Sequence, residues 1–349
     1  MNAVITGWSA VSAYGFGRHA FTEGVVSGRA TAAPAMEGAP DTHVCWVPDL
    51  DPKNILDGKG IRHLDRASQL ALATFSELVE PGVDTGERAG VVLGTTAGSH
   101  QVELDQIRDT HRNARPHHLA PKQVASGTMN CAAAQCAIRF GIHGPNTTVA
   151  GGRGAALHAL GYARRLLAMD RADSVIVGAV EEATFARAWF THAAGTRPGQ
   201  WLGEGGAAFR VEPSGTSRPV LAEVLGIGTR LALNVREGHL PKPQVGEGGL
   251  HDTLATCVRE VLARAEVSPS SVHAVVGPEP EGLFKDLADV PDLSFMGDTG
   301  SVSSAYAIVT ALGVLRLPGE VVLVTSADPD GAVACALLRL GNSRSDHDG

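Results

Sequence analysis

The sequence has no basic excess: 29 Lys and Arg stand against 37 Asp and Glu, a formal net charge of -8. A nucleic acid as the main partner is therefore not expected. No apolar run reaches the roughly 18 to 20 residues of a membrane-spanning helix, and the opening MNAVITGWSAVSAYG lacks a charged region followed by a signal core. No membrane association and a cytoplasmic location are expected. The five cysteines (Cys45, Cys131, Cys136, Cys257, Cys335) are scattered and odd in number. That excludes a disulfide framework, leaves no metal-ligand spacing and predicts reduced, buried thiols. No metal or other cofactor is expected. Aromatics are only 5%, whereas 44% of residues are hydrophobic and 42 are glycine, the profile of an α/β protein with an ample core.

Short β-rich runs recur, each leading through a glycine turn into a helix-like stretch: residues 2–6, 89–96, 147–151 and 173–181, then runs starting at 271, 292 and 320. This alternation predicts a parallel sheet with crossover helices. It also repeats internally. TVAGGRGAALHALGYARRLL followed by ADSVIVGAVEEA has the layout of SFMGDTGSVSSAYAIVTALGVL followed by GEVVLVTSADPDG. Helices faced with Ala, Gly and Ser let backbones approach closely, so both repeats should lie buried near the centre. The expected organisation is two related α/β halves, 1–212 and 213–342, with a disordered tail at 343–349.

In such a sheet, the turn from a strand's carboxyl end into a helix suits a reactive group, because the helix N-terminus stabilises negative charge. Two turns qualify, Gly151-Gly152-Arg153-Gly154 and Thr299-Gly300-Ser301. The first holds no nucleophile. A permanently cationic arginine is poorly placed beside a helix's positive end unless an acid or a bound anion pairs with it.

The run from Gly144 to Leu157, GPNTTVAGGRGAAL, resembles the nucleophile segment of β-ketoacyl synthases, members of the thiolase superfamily. Further segments resemble the family in order along the chain: VITGWSAVSAYGFG, GVVLGTTAGS, GTMNCAAAQCAIRFGIHGPN, DSVIVGAVEEA and WLGEGGAAFRVE. The resemblance implies the thiolase fold, two duplicated α/β halves with sheets packed in a layered αβαβα sandwich. It places Arg153 at the family's cysteine nucleophile, Pro278 at its first histidine and Ser301 at its second, so all three catalytic positions are replaced. Asp328 and Asp330 also depart from the family's C-terminal glycine-rich turn, and the stretch between about 213 and 270 is short for the family. Decarboxylative condensation needs a thiolate to carry the acyl chain and donors to stabilise the enolate. None of the three replacements supplies them.

Such a chain resembles the chain-length factor of a type II polyketide synthase, an inactive subunit whose nucleophile position commonly holds glutamine. The resemblance implies a heterodimer with an active ketosynthase, contact with acyl carrier protein through the complex, and a tunnel and interface set of Ala97, Gln101, Leu104, Asp105, Arg108, Met129 and Asn130. Gln101, Leu104, Asp105 and Arg108 share a helix face by spacing. That face is polar and lacks a bulky aromatic, which suggests a linear reduced or polyene chain. Two other readings stay open: an acyltransferase with its nucleophile relocated to Ser301, Cys131 or Cys136, and a homodimer that binds an acyl chain or an anion at the remodelled pocket. His100, His117, His118 and His158 lack a triad-like or metal-like context.

Overall fold

The repeated alternation is present in the computed structural model, which describes residues 2–51, 64–79, 85–115, 117–119, 121–195, 201–234, 242–243, 247–315 and 317–341. The expected tail at 343–349 lies outside the described residues. The main strands are β1 (Ala3–Ser12), β2 (Ala89–Thr95), β3 (Asn146–Ala150), β4 (Ser174–Glu181), β5 (Gly205–Pro213), β6 (Ala222–Leu231), β7 (Val272–Val276), β8 (Val321–Ala327) and β9 (Ala332–Leu340). Six of the seven β-rich runs form strands, but β5, β6 and β9 lie outside those runs, and the sheet is mixed rather than parallel because every antiparallel ladder among the main strands includes one of these three. One run fails. DLSFMGD at 292–298 is not a strand: Asp292 caps the Ser294 N–H, a 3-10 turn occupies Ser294–Met296, and only Asp298 forms an isolated bridge, to Leu202. The local cap competes with strand pairing there.

Topology shows the duplication directly. The strand order is β7-β8-β9-β6-β1-β5-β4-β2-β3. Outward from the middle, each half runs first, fifth, fourth and second strand, and β3 continues the first half while 292–298 forms no strand in the second. Pairing directions repeat as well. First with fifth and fifth with fourth are antiparallel, and fourth with second is parallel, in both halves. The half-sheets join where Ala3, Val4 and Ile5 pair with Val224, Glu223 and Ala222.

Helices fill the layers. They are α1 (Gly17–Ser27), α2 (Arg66–Ser76), α3 (His100–Arg112), α4 (Pro121–Ser126), α5 (Cys131–Phe140), α6 (Ala155–Ala168), α7 (Phe185–Ala193), α8 (Glu247–Arg264) and α9 (Ser303–Gly313). The small-residue helices α6 and α9 pack together in the central core, as their composition predicts, and Ala156 N–H donates to Ser304 Oγ at 3.3 Å. Large side chains at their contact would force them apart. An outer core places α2 and α5 on the first half-sheet, and another places α8 on the second. The result is the layered αβαβα arrangement.

All five cysteines are buried and unbridged. Among the described residues no cluster of His, Cys, Asp and Glu could hold a metal ion, and no helix is long and apolar enough to cross a membrane.

Candidate functional site

The site forms where β3 turns into α6. Gly152 takes a left-handed φ of +52°, a single 3-10 turn covers Gly152–Gly154, and α6 follows at once. A Cβ at Gly152 would sit 2.2 Å from Asp328 Oδ2, so only glycine both adopts this φ and admits that carboxylate. Arg153 at the apex donates its backbone N–H to Asp328 Oδ2 at 2.8 Å. Its guanidinium Nη2 donates to Asp298 Oδ2, also at 2.8 Å, and Asp298 Oδ1 accepts the Gly300 N–H at 3.0 Å. The acid partner an arginine here requires is thus supplied from within the chain, by the second half.

Arg153 and Pro278 come together on the wall of one cavity of about 320 Å³, with Trp201, Asp298, Thr299 and Thr325. Pro278 contributes only its carbonyl, which accepts from Thr325 Oγ1 at 2.7 Å. Ser301 is fully buried beside the cavity. Its Oγ donates to the Val180 carbonyl at 2.9 Å, and its backbone N–H donates to Glu181 Oε2 at 3.1 Å. No described group on this wall combines a nucleophile with a base.

The second turn repeats the first. Gly300 has φ +50°, a 3-10 turn spans Gly300–Val302, and α9 follows. Each apex N–H is bound by a carboxylate from the end of the fourth strand of the opposite half: Asp328 just past β8 for Arg153, Glu181 at the end of β4 for Ser301. The sequence marked Asp328 as unusual but carried no sign of its partner, and Asp298 and Glu181 went unremarked because their contacts span 145 and 120 residues.

The helix that carries the tunnel set is α3, and Ser99 caps it by accepting the Val102 N–H at 3.4 Å. Gln101, Leu104, Asp105 and Arg108 are half-buried. Gln101 Nε2 donates to Asp105 Oδ1 at 3.1 Å, Gln101 Oε1 accepts the Ala186 N–H at 3.1 Å from α7, and Arg108 pairs with Asp105 at 3.3 Å. Behind the helix start lies Glu182, fully buried, accepting from Gln101 N and Thr184 Oγ1 at 3.2 Å each and from Ser99 Oγ at 3.1 Å. Burial outweighs these bonds and raises its pKa to about 7. His100, the first residue of α3, is held below its usual pKa, chiefly by burial.

Ala97 is half-buried, while Met129 and Asn130 are exposed at the start of α5. Cys131 and Cys136 are buried, and burial raises both thiols above their ordinary pKa. His158 stays below its usual value for the same reason.

Residues 2–196 match the N-terminal domain of the β-ketoacyl synthases. A putative polyketide β-ketoacyl synthase 1 of Streptomyces halstedii is 30% identical over 94% of this chain and 73% of its own length. The 3-oxoacyl-[acyl-carrier-protein] synthase 2 of Coxiella burnetii is 26% identical over 78% of this chain and 71% of its own. Among solved structures, the ishigamide ketosynthase/chain length factor superposes with a TM-score of 0.89 at 37% identity, covering 98% of this chain and 100% of that one. A type II polyketide synthase acyl-carrier protein in complex with its ketosynthase gives a TM-score of 0.75 at 16% identity, covering 97% of this chain and 99% of that one, a likeness of fold alone. The chain belongs to the β-ketoacyl synthase family and has the family's thiolase fold.

Proposed function

We propose that this chain is a non-catalytic chain-length factor, a cytoplasmic subunit that pairs with an active ketosynthase in type II polyketide biosynthesis and shapes the elongation tunnel. The observation that carries the reading is the Arg153 side chain, bound to Asp298 at the apex where condensation needs a thiolate. An arginine held there carries no acyl chain. The alternative nucleophiles gain no support from their surroundings, since Ser301 Oγ is spent on a carbonyl and the Cys131 and Cys136 thiols are buried and kept protonated. Anion binding is disfavoured because Asp298 already neutralises Arg153 and Asp328 adds a second carboxylate.

A partner is supported by what the chain leaves uncovered. β3 is the last strand of the sheet, with both of its end residues exposed. Helices α3, α4 and α5 expose Ile107 (55%), Val124 (49%) and Ile138 (75%), and the turn before α5 exposes Met129 (43%). An open strand edge next to exposed apolar side chains favours association; α5 packs on β3, and α4 links α5 to α3, whose Gln101, Leu104, Asp105 and Arg108 would reach the tunnel. The polar character of that face supports a linear reduced or polyene chain. Acyl carrier protein would engage through the complex, and the chemistry would reside in the partner.

The test is co-expression with a candidate active ketosynthase and elongation of a carrier-bound primer with malonyl units. The pair is expected to co-purify and elongate, with this chain inert alone. Condensation by this chain alone would overturn the reading.

A further inference from the structure

We propose that Asp328 is a built-in anion that keeps this site closed to acyl transfer independently of the missing thiol, by holding the one backbone donor at the apex of the turn. The inference deepens the non-catalytic reading above and rests on it. Acyl transfer at such an apex has two requirements. A thiolate must attack the thioester carbonyl, forming a carbon–sulfur bond and a tetrahedral oxyanion, and a fixed donor must hold that oxyanion until it collapses. Collapse breaks the original carbon–sulfur bond and expels the donor thiolate, which takes up a proton from solvent. Backbone N–H groups at the start of a helix are suited to hold the oxyanion, provided they are free.

Here the apex N–H is not free. It donates to Asp328 Oδ2 at 2.8 Å, and Gly152 clears the space for that oxygen. The carboxylate is fixed in turn by the tight hairpin between β8 and β9. Asp328 Oδ1 accepts the Asp330 N–H at 3.0 Å, Asp328 N donates to the Ala332 carbonyl at 2.8 Å, and Gly331 N donates to the Asp328 carbonyl at 2.9 Å. Displacing the carboxylate would break its bonds to both the Arg153 and the Asp330 N–H groups. An oxyanion arriving at the apex would therefore lose its donor and meet a like charge in the same place. The second turn supports this structural reading of the contact: Glu181 binds the Ser301 N–H in the same way at a turn that faces no cavity through its side chain. A carboxylate on the apex N–H is the resting bond of a joint between the halves.

The experiment restores the thiol and then removes the carboxylate. Arg153→Cys, Arg153→Cys/Asp328→Ala, Arg153→Cys/Asp328→Asn and Arg153→Cys/Asp330→Ala are purified with the chain's co-expressed partner, checked for cooperative unfolding, and treated with iodoacetamide to show that the new thiol is accessible. Each is then incubated with an octanoyl thioester of N-acetylcysteamine, and acylation of this chain is followed by intact mass. Arg153→Cys is expected to alkylate yet acylate slowly. Adding Asp328→Ala should raise the acylation rate by about 100-fold or more, the scale of gaining one oxyanion donor. Asp328→Asn should stay slow, because its side-chain carbonyl still accepts the N–H, and Asp330→Ala should stay slow because Asp328 remains in place. If Asp328→Ala does not fold, Asp328→Ser takes its place. Equal acylation with and without Asp328, including none in either, or the same gain from Asp330→Ala, overturns the proposal. Acylation at residue 153's turn in the unmodified chain would instead overturn the non-catalytic reading on which it rests.

Discussion

The two strand-to-helix turns at the centre of the molecule share a backbone and differ in what they hold. Both have a glycine at φ near +50°, one 3-10 turn, a small-residue helix and an apex N–H bound to a carboxylate from the other half. At the first, Arg153 reaches into a cavity and is neutralised by Asp298. At the second, Ser301 is sealed in, and its hydroxyl is satisfied by Val180. The shared parts are therefore a joint between duplicated halves. What differs is the apex side chain, an arginine paired with Asp298 at the first turn and a serine bound to a carbonyl at the second.

The sharpest contrast should come from the carboxylates. Glu181 is fully buried, accepts from Ser301 N and Thr96 Oγ1, and faces buried Arg187 at 3.8 Å. Glu181→Ala should cost about 3–5 kcal/mol, because a buried cation loses its partner. Asp328→Ala, at a half-buried turn, should cost only about 1–2 kcal/mol. Denaturant midpoints of the two variants check this, and equal losses would mean that the two joints are equally buried in energetic terms.

A second contrast concerns pH. Burial pushes the Glu182 carboxyl up to about 7 in the folded chain, from an ordinary value of 4.5. Between those values the folded chain keeps a proton that the unfolded chain has released, so the stability tied to this group is complete below about pH 4.5. It is lost as pH rises through 7, by an amount on the order of 3 kcal/mol. Glu182→Gln keeps the neutral form at all pH values. Its melting temperature should gain on that of the unmodified chain from pH 5 to pH 8, and parallel curves would contradict the assignment.

Smaller effects separate the two glycines. A Cβ at Gly300 would lie 2.8 Å from Glu181 Oε2 and 2.9 Å from Arg187 Nη2, both buried, whereas at Gly152 it meets only Asp328. Alanine at either should cost at least about 1 kcal/mol from its φ, and Gly300→Ala should cost more because its neighbours have less room to move. Thermal unfolding ranks them. The smallest effect is expected from Arg153→Gln, under about 1 kcal/mol for a partly exposed ion pair, with elongation by the assembled pair unchanged. A large loss of elongation would give Arg153 a part in shaping the tunnel.

Much of this architecture was legible in the sequence because it is local. Alternating strand and glycine-turn runs placed six of the nine main strands but missed the antiparallel β5, β6 and β9, which do not lead through a glycine turn into a helix, and the Ala- and Gly-faced runs marked α6 and α9 as the buried centre. The failure at 292–298 is also local: hydrophobic Leu293, Phe295 and Met296 read as a strand, while the Asp292 cap and the 3-10 turn decide otherwise. What the sequence could not show is pairing across the halves. Nothing near Arg153 names Asp298 or Asp328 as its partners, since those contacts exist only once the two duplicated units close on each other.

The central claim, that this chain holds no acyl group, is tested most directly by incubating the co-purified pair with an acylated carrier protein and measuring the intact mass of each subunit. The account predicts an acyl adduct on the ketosynthase partner and none on this chain. An adduct on this chain would contradict it.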